Sequence, residues 1–285
     1  EGNQALPGVG DPSTWAAKNT RRPLFSAQPL ITTIATTAAR GGSRYHSLQA
    51  SVRQRSSRGL ELLASYTLGK TRTNNRGFYG VFGGTGLQGV TSATEGAYWQ
   101  DTYNPDAEWG PAFHDVRHNV VVSGTWQLPF GRERRWGANW GTVADTLLGG
   151  WQLGGIAQAR SGLPVTVIDG RARSLQGERG AERPNCVGDW QPSDQSLAKW
   201  LDINAFSAAA LGTFGNCPVG VARAPGYKNL DLVVSKRVGF GDDSARYGEF
   251  RIEAFNVFNI PSFGPPARDI SVPNTFGQIT STISA

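Results

Sequence analysis

The chain has no methionine, only two cysteines and three histidines, and no long unbroken apolar run. Each scarcity removes a class of protein. A membrane-spanning helix needs roughly 18 or more consecutive apolar residues, so any passage through a bilayer has to be made by strands. His46, His114 and His118 are a thin supply for a histidine-based catalytic or metal centre. The hydrophobic share, 39%, is below that of most compact soluble cores. The chain starts at Glu1 with no basic-then-apolar leader, and is read as part of a longer protein.

Glycine is abundant, at 37 residues, with 16 prolines, nine tryptophans, 13 phenylalanines and seven tyrosines. That composition describes a loop-rich, aromatic-rich β protein better than a helical one. The net charge of +6 is scattered, with groups such as Arg53, Arg55 and Arg58 or Arg132, Arg134 and Arg135 beside expected turns. Solvated strand ends explain it; no RNA-recognition signature, zinc-finger spacing or basic helix accompanies it, and no nucleic-acid partner is expected. Cys186 and Cys217 lie in a stretch rich in Gly, Pro, Asn and Asp. Either they form a disulfide closing a surface loop in an oxidising compartment, or they are two buried thiols.

Period-two alternation of apolar and polar side chains predicts strands. In residues 60–69, Leu60, Leu62, Ala64, Tyr66 and Leu68 oppose Glu61, Ser65 and Thr67, with Leu63 an exception. In 45–55, Leu48, Ala50 and Val52 oppose Gln49, Ser51 and Arg53. The pattern returns over 116–129, 150–160, 228–238 and 248–259, and more weakly over 31–38. The polar sets place Gln49, Arg53, Glu61, Asn119, Asp231, Arg251 and Glu253 on one face, the candidates for a lumen lining.

The connections fall into two kinds. Residues 56–59 and 239–247 are short, whereas 70–115 and 161–227 are long. With the short turns and the 130–149 link at one end, the long loops and 260–276 fall at the other, as in bacterial outer-membrane barrels with long extracellular loops. A soluble sandwich alternates too. Aromatic residues near strand ends, Tyr45, Trp126, Phe130, Trp151, Phe250 and Phe258, and strands of membrane-crossing length favour the barrel.

The strings YHSLQASVRQRSSRGLELLASYTLGK at 45–70, HDVRHNVVVSGTWQLPFGRERR at 114–135, LLGGWQLGGIAQARSGLPVTV at 147–167, APGYKNLDLVVSKRVGFG at 224–241 and FRIEAFNVFNIPSFGPP at 250–266 resemble the carboxy-terminal barrel of TonB-dependent receptors, closest to the Oar-like group with its amino-terminal carboxypeptidase-regulatory-like domain. The resemblance implies an all-β, antiparallel, up-and-down transmembrane barrel segment, with residues 1–30 as a lead-in and 31–285 supplying about seven or eight strands of a roughly 22-stranded plugged barrel. It implies an outer membrane, Gram-negative location, with membrane lipid, the remaining barrel and plug, the TonB complex and an unidentified extracellular ligand as partners. Plug and TonB box are absent from these residues, and 275–280 is not the aromatic-ended closing strand of such receptors. The alternative is a structural or adhesive surface protein assembling with other chains.

No enzyme, cofactor or metal is expected. GTGLQG at 84–89 matches a dinucleotide fingerprint but lacks the flanking strand and helix. On a strand His114 and His118 are roughly 13 Å apart, too far to share an ion. Ser196 and Lys199 have a β-lactamase spacing without its partner motifs. Glu249, Arg251 and Glu253 read as a charged ladder. The candidates for ligand contact are loop aromatics mixed with acids, Tyr98, Trp99, Asp101, Tyr103 and Trp109, and then Trp190 and Trp200 between the cysteines. Packing of loop against loop uses the same residue types.

Overall fold

The computed structural model describes residues 3–32, 34, 39–56, 59–74, 99–132, 134–176, 182–239 and 247–283. In chain order its strands are β1 (Ser43–Arg55), β2 (Leu60–Thr73), β3 (Gly110–Pro111), β4 (His118–Gln127), β5 (Trp151–Arg160), β6 (Pro164–Val165), β7 (Asn185–Cys186), β8 (Phe206–Ser207), β9 (Ala222–Arg223), β10 (Tyr227–Gly239) and β11 (Tyr247–Ala254), with one α-helix, α1 (Thr142–Leu148), among the described residues. Six long strands pair antiparallel in the order β1-β2-β4-β5-β10-β11, and β3 adds to the end of β2. The sheet is therefore up-and-down, and it does not close on itself among the described residues.

Six long strands stand where seven or eight were expected. Over 31–38, Ile31, Thr32 and Ile34 are not in a strand, and the rest lies outside the described residues. The expected strand over 248–259 stops at Ala254. Asn256 and Asn259 adopt φ of 47° and 49°, and the Asn256 side chain accepts from the Ile260 N–H, so a local turn replaces the ladder. Phe258 and Asn259 merely extend the apolar-polar alternation past that turn.

Residues directly opposed across an antiparallel pair share a face, so the registers define two sets of rows. One face runs Val52, Ala64, Val122, Ala157, Leu230, and beside it Leu60, Trp126, Leu153, Val234, Ile252. The other runs Arg53, Leu63, Ser123, Ile156, Asp231, and beside it Arg55, Glu61, Thr125, Gly154, Val233, Glu253. The apolar face is not covered by protein: Leu48, Val52, Phe250 and Ile252 are all more than half exposed.

The buried apolar core sits elsewhere. Val165, Val167, Leu201, Ala205, Phe206, Cys217, Ala222, Ile270 and Phe276 pack together in the 161–227 connection and the carboxy-terminal segment. The short ladders β6–β9 and β7–β8 brace it. Cys186 and Cys217 are disulfide-bonded there, tying β7 to the core. Closing a loop of that length contributes roughly 3 to 4 kcal/mol in the chain-entropy model. The long connection is thus a folded layer, and the amino-terminal segment belongs to it: Asn3 and Gln4 are buried within it.

At the opposite end Gly150 has φ of 68°, and a Cβ there would lie 2.4 Å from the Arg237 carbonyl oxygen, so the turn into β5 requires glycine. Nearby, α1 leaves Val143, Leu147 and Leu148 exposed, next to Trp151, whose Nε1–H donates to the Leu147 carbonyl.

Candidate functional site

The polar face carries all seven residues expected to share it. Gln49 opposes Thr67, which opposes Asn119, which opposes Arg160; Arg53 and Asp231 end one row, and Arg55, Glu61 and Glu253 lie in the next. Arg251 follows, opposite Ser235. Curvature of the sheet brings its two edge strands around a trough of about 580 Å³, lined among others by Arg53, Arg55 and Glu61 from β1 and β2 and by Asp231, Arg251 and Glu253 from β10 and β11. Its floor is low at Gly154, where a Cβ would sit 2.7 Å from Val233 Cγ1.

Several charges on this face are paired locally. Arg55 Nε lies 3.6 Å from Glu61, Arg237 Nε 3.0 Å from Glu249, and Arg251 Nε 2.5 Å from Glu253. Asp231 accepts from Asn229 Nδ2 and from the Asn256 N–H. These pairs are exposed, worth about 0–1 kcal/mol each. Their effect is a mixed-charge rim, without a single dominant sign, around apolar residues such as Leu63 and Ile156.

Tyr45, expected among interfacial aromatics, lies on the polar face instead: it opposes Thr71, and its ring would be 3.5 Å from a Cβ at Gly69. The pleat dictates this, since Tyr45 has the parity of Gln49 and not of Leu48. Trp126, Trp151 and Phe250 do lie on the apolar face at the short-turn end.

The folded layer stands over the other end of the polar face, and buried charge locks it there. The Asp115 carboxylate, 2% exposed, accepts from Arg223 Nη2 at 2.7 Å and from the Thr71 N–H at 2.6 Å, joining the end of β2 to β9. Ser161 Oγ accepts from the backbone of Arg117 and His118, fixing the corner between β4 and β5. Gly162 passes so close to the Ala224 carbonyl that a Cβ would lie 1.6 Å from its oxygen. Deeper, Arg183 Nη1 meets Glu108 Oε1 at 2.7 Å with both side chains almost fully buried. Arg183 also donates to the Cys217 and Ala107 carbonyls, while Gln100 bonds Glu108, Arg183 and Gln4. Three distant stretches of chain converge on this cluster.

The loop aromatics are placed one by one. Tyr98 and the 84–89 glycine motif lie outside the described residues. Trp99 donates its Nε1–H to the Asn74 carbonyl, with the Arg40 guanidinium 6.0 Å from its ring. Asp101 accepts from the Tyr103 N–H, and the Tyr103 hydroxyl donates to the Gln4 carbonyl while its ring stays 53% exposed. Trp109 is flanked by Arg44 and Arg72. Trp190 and Trp200 pack on the apolar core, and Trp200 Nε1 donates to the Arg223 carbonyl. Of the described loop aromatics Tyr103 is the most exposed.

The other motifs resolve into structure. His118 Nδ1 is 2.8 Å from the Tyr66 hydroxyl, while His114 packs edge-on against Phe113. Ser196 and Lys199 face each other across a tight turn, and Lys199 Nζ donates to Asp194. That bond holds the Asp194 carboxyl below, and the Lys199 ammonium above, their ordinary pKa values. Asp169, bonded to Arg171, likewise raises the guanidinium pKa.

The sequence offers no role for Gln4, Gln100, Asp115, Arg183 or Arg223, and shows Glu108 only as one of the acids among the loop aromatics. A carboxylate and its arginine 75 or 108 positions away leave no local signal.

A family model described as outer membrane beta barrel domain matches residues 1–285. Neither a curated protein nor a solved structure matches the chain.

Proposed function

The chain belongs to the outer membrane β-barrel domain family and is located in the outer membrane of a Gram-negative bacterium; from that premise we propose that it is the carboxy-terminal part of a TonB-dependent receptor of the Oar-like group. In this reading the polar face lines the passage of a larger barrel, the apolar face meets lipid, and the folded layer is extracellular and captures a ligand before import. Further strands of the same receptor close the barrel beyond β1 and β11, a plug fills it, and the TonB complex acts on that plug. The chain works by binding and passage and not by catalysis.

One observation carries the proposal: one face of the sheet, bearing most of its polar and charged side chains, runs from a trough near the short turns towards a disulfide-bonded folded layer at the opposite end. A lumen wall needs water-compatible side chains inward and apolar ones outward, and both are present on one sheet.

The test is uptake. The intact protein in purified outer membranes should be several times larger than this chain and should migrate differently before and after boiling. Cells deleted for TonB should lose accumulation of the medium component whose uptake requires this gene. Heat-modifiable protein whose deletion changes cell adhesion but no uptake would favour the structural reading.

A further inference from the structure

At the long-loop end, the apolar face of β1 and β2 turns basic. Arg44 stands directly opposite Arg72, and His46 opposite Lys70, both pairs continuing the row parity of Leu48 and Leu68. Arg44 and Arg72 are like charges opposed across strands, which repel. Among the described residues none of these side chains has a carboxylate partner. Instead the Arg44 and Arg72 guanidiniums lie 5.5 and 5.8 Å from the Trp109 ring, and Arg72 donates to the Trp109 carbonyl. Trp109, two residues before the Pro111 that opposes Arg72, shares this face.

The opposite end of the same face differs. There Trp126, Trp151 and Phe250 form the border, and the one cation in the row, Lys236, lies over Trp151 and bonds the Gly149 carbonyl. Between the two borders, Leu60 to Leu68 extend roughly 27 Å along the strand, enough for a tilted crossing of the hydrocarbon layer. Lys70 and Arg72 therefore fall at headgroup depth.

We propose that Arg44, His46, Lys70, Arg72 and Trp109 form a surface that binds a lipid with a phosphate-bearing headgroup in the outer leaflet. This rests on the orientation given above, with the folded layer outside the cell. Phosphate oxygens accept from the guanidinium forks and the ammonium and remove the repulsion across the strands. Trp109 holds both guanidiniums side by side toward the headgroup layer and sits itself at the depth interfacial aromatics occupy.

The experiment uses the complete receptor, purified from outer membranes and placed in phosphatidylcholine nanodiscs with or without diphosphoryl lipid A, retained lipid being read by native mass spectrometry. The receptor and the control Lys199→Gln should retain lipid A. The paired change Lys70→Gln with Arg72→Gln should weaken retention by about tenfold or more, yet leave the barrel at least as stable as the parent in phosphatidylcholine alone, because the repulsion between Arg44 and Arg72 is gone. His46→Gln with Lys70→Gln should give a smaller loss in the same direction. Equal retention by parent and paired variants in a heat-modifiable barrel overturns the lipid surface while leaving the receptor reading intact. Displacement of the lipid by inorganic phosphate at equal headgroup concentration also overturns it, in favour of a free-anion site. A parent protein that never becomes heat-modifiable refutes the barrel reading itself.

Discussion

The sheet and the folded layer above it are built on opposite rules. In the layer, apolar side chains such as Val167 and Cys217 are buried, and charges that go inside are paired, as Arg183 is with Glu108. In the sheet, Leu48, Val52 and Ile252 are exposed, and charges sit on the water-compatible face or at the two borders of the apolar one. The layer supplies its own apolar environment; the sheet takes it from lipid. A single chain therefore holds two stabilities with different solvents, and each can be disturbed alone.

The largest expected effect breaks the layer. Glu108→Ala leaves Arg183 buried without its carboxylate and should cost about 3–5 kcal/mol. Limited proteolysis should then cut the 99–109 and 182–217 stretches while the sheet remains heat-modifiable; cleavage spread equally into β4 and β5 would erase the distinction. Next, Cys186→Ser with Cys217→Ser should cost roughly 3 to 4 kcal/mol, read as a lower unfolding midpoint of the layer and matched by reduction of the parent protein. On the sheet, Val122→Arg on the apolar face should cost about 2–4 kcal/mol of insertion stability in denaturant titrations from vesicles, against little for Ser123→Arg next to it. The smallest effect belongs to Asp194. Its folded pKa is lowered, first by the Lys199 hydrogen bond, so its contribution is present above the unfolded carboxylate pKa and disappears as pH falls through the lowered value. Asp194→Asn should flatten that acid-side slope, through a slight loss of stability at neutral pH and none in acid.

The comparison also explains what was legible. Strands such as β1, β2 and β5 were readable within a few residues because a two-sided environment imprints period two on neighbouring positions. Parity alone placed Asp231 and Glu253 on one face, and the same parity put Tyr45 there against the expectation drawn from its aromatic character. The end of β11 was misjudged because Asn256 and Asn259 adopt left-handed backbone that alternation does not encode. The folded layer carries no such imprint and looks like loop in the sequence. Its pairs, Asp115 with Arg223 and Glu108 with Arg183, join residues far apart in sequence, and its aromatics carry the same composition whether they pack or bind. Trp200 packs, while the Tyr103 ring stays open.

The two faces of one sheet should meet different solvents. Single cysteines at Val120→Cys, Val122→Cys and Val234→Cys, and at Ser123→Cys, Gln158→Cys and Ser235→Cys, would be tested in native outer membranes with a water-soluble thiol reagent and, after labelling with a fluorophore, with brominated lipid. The first three should resist the reagent and be quenched by the lipid, and the second three should react and escape quenching. Equal reactivity at neighbouring positions 122 and 123, with no quenching at either, would contradict the account.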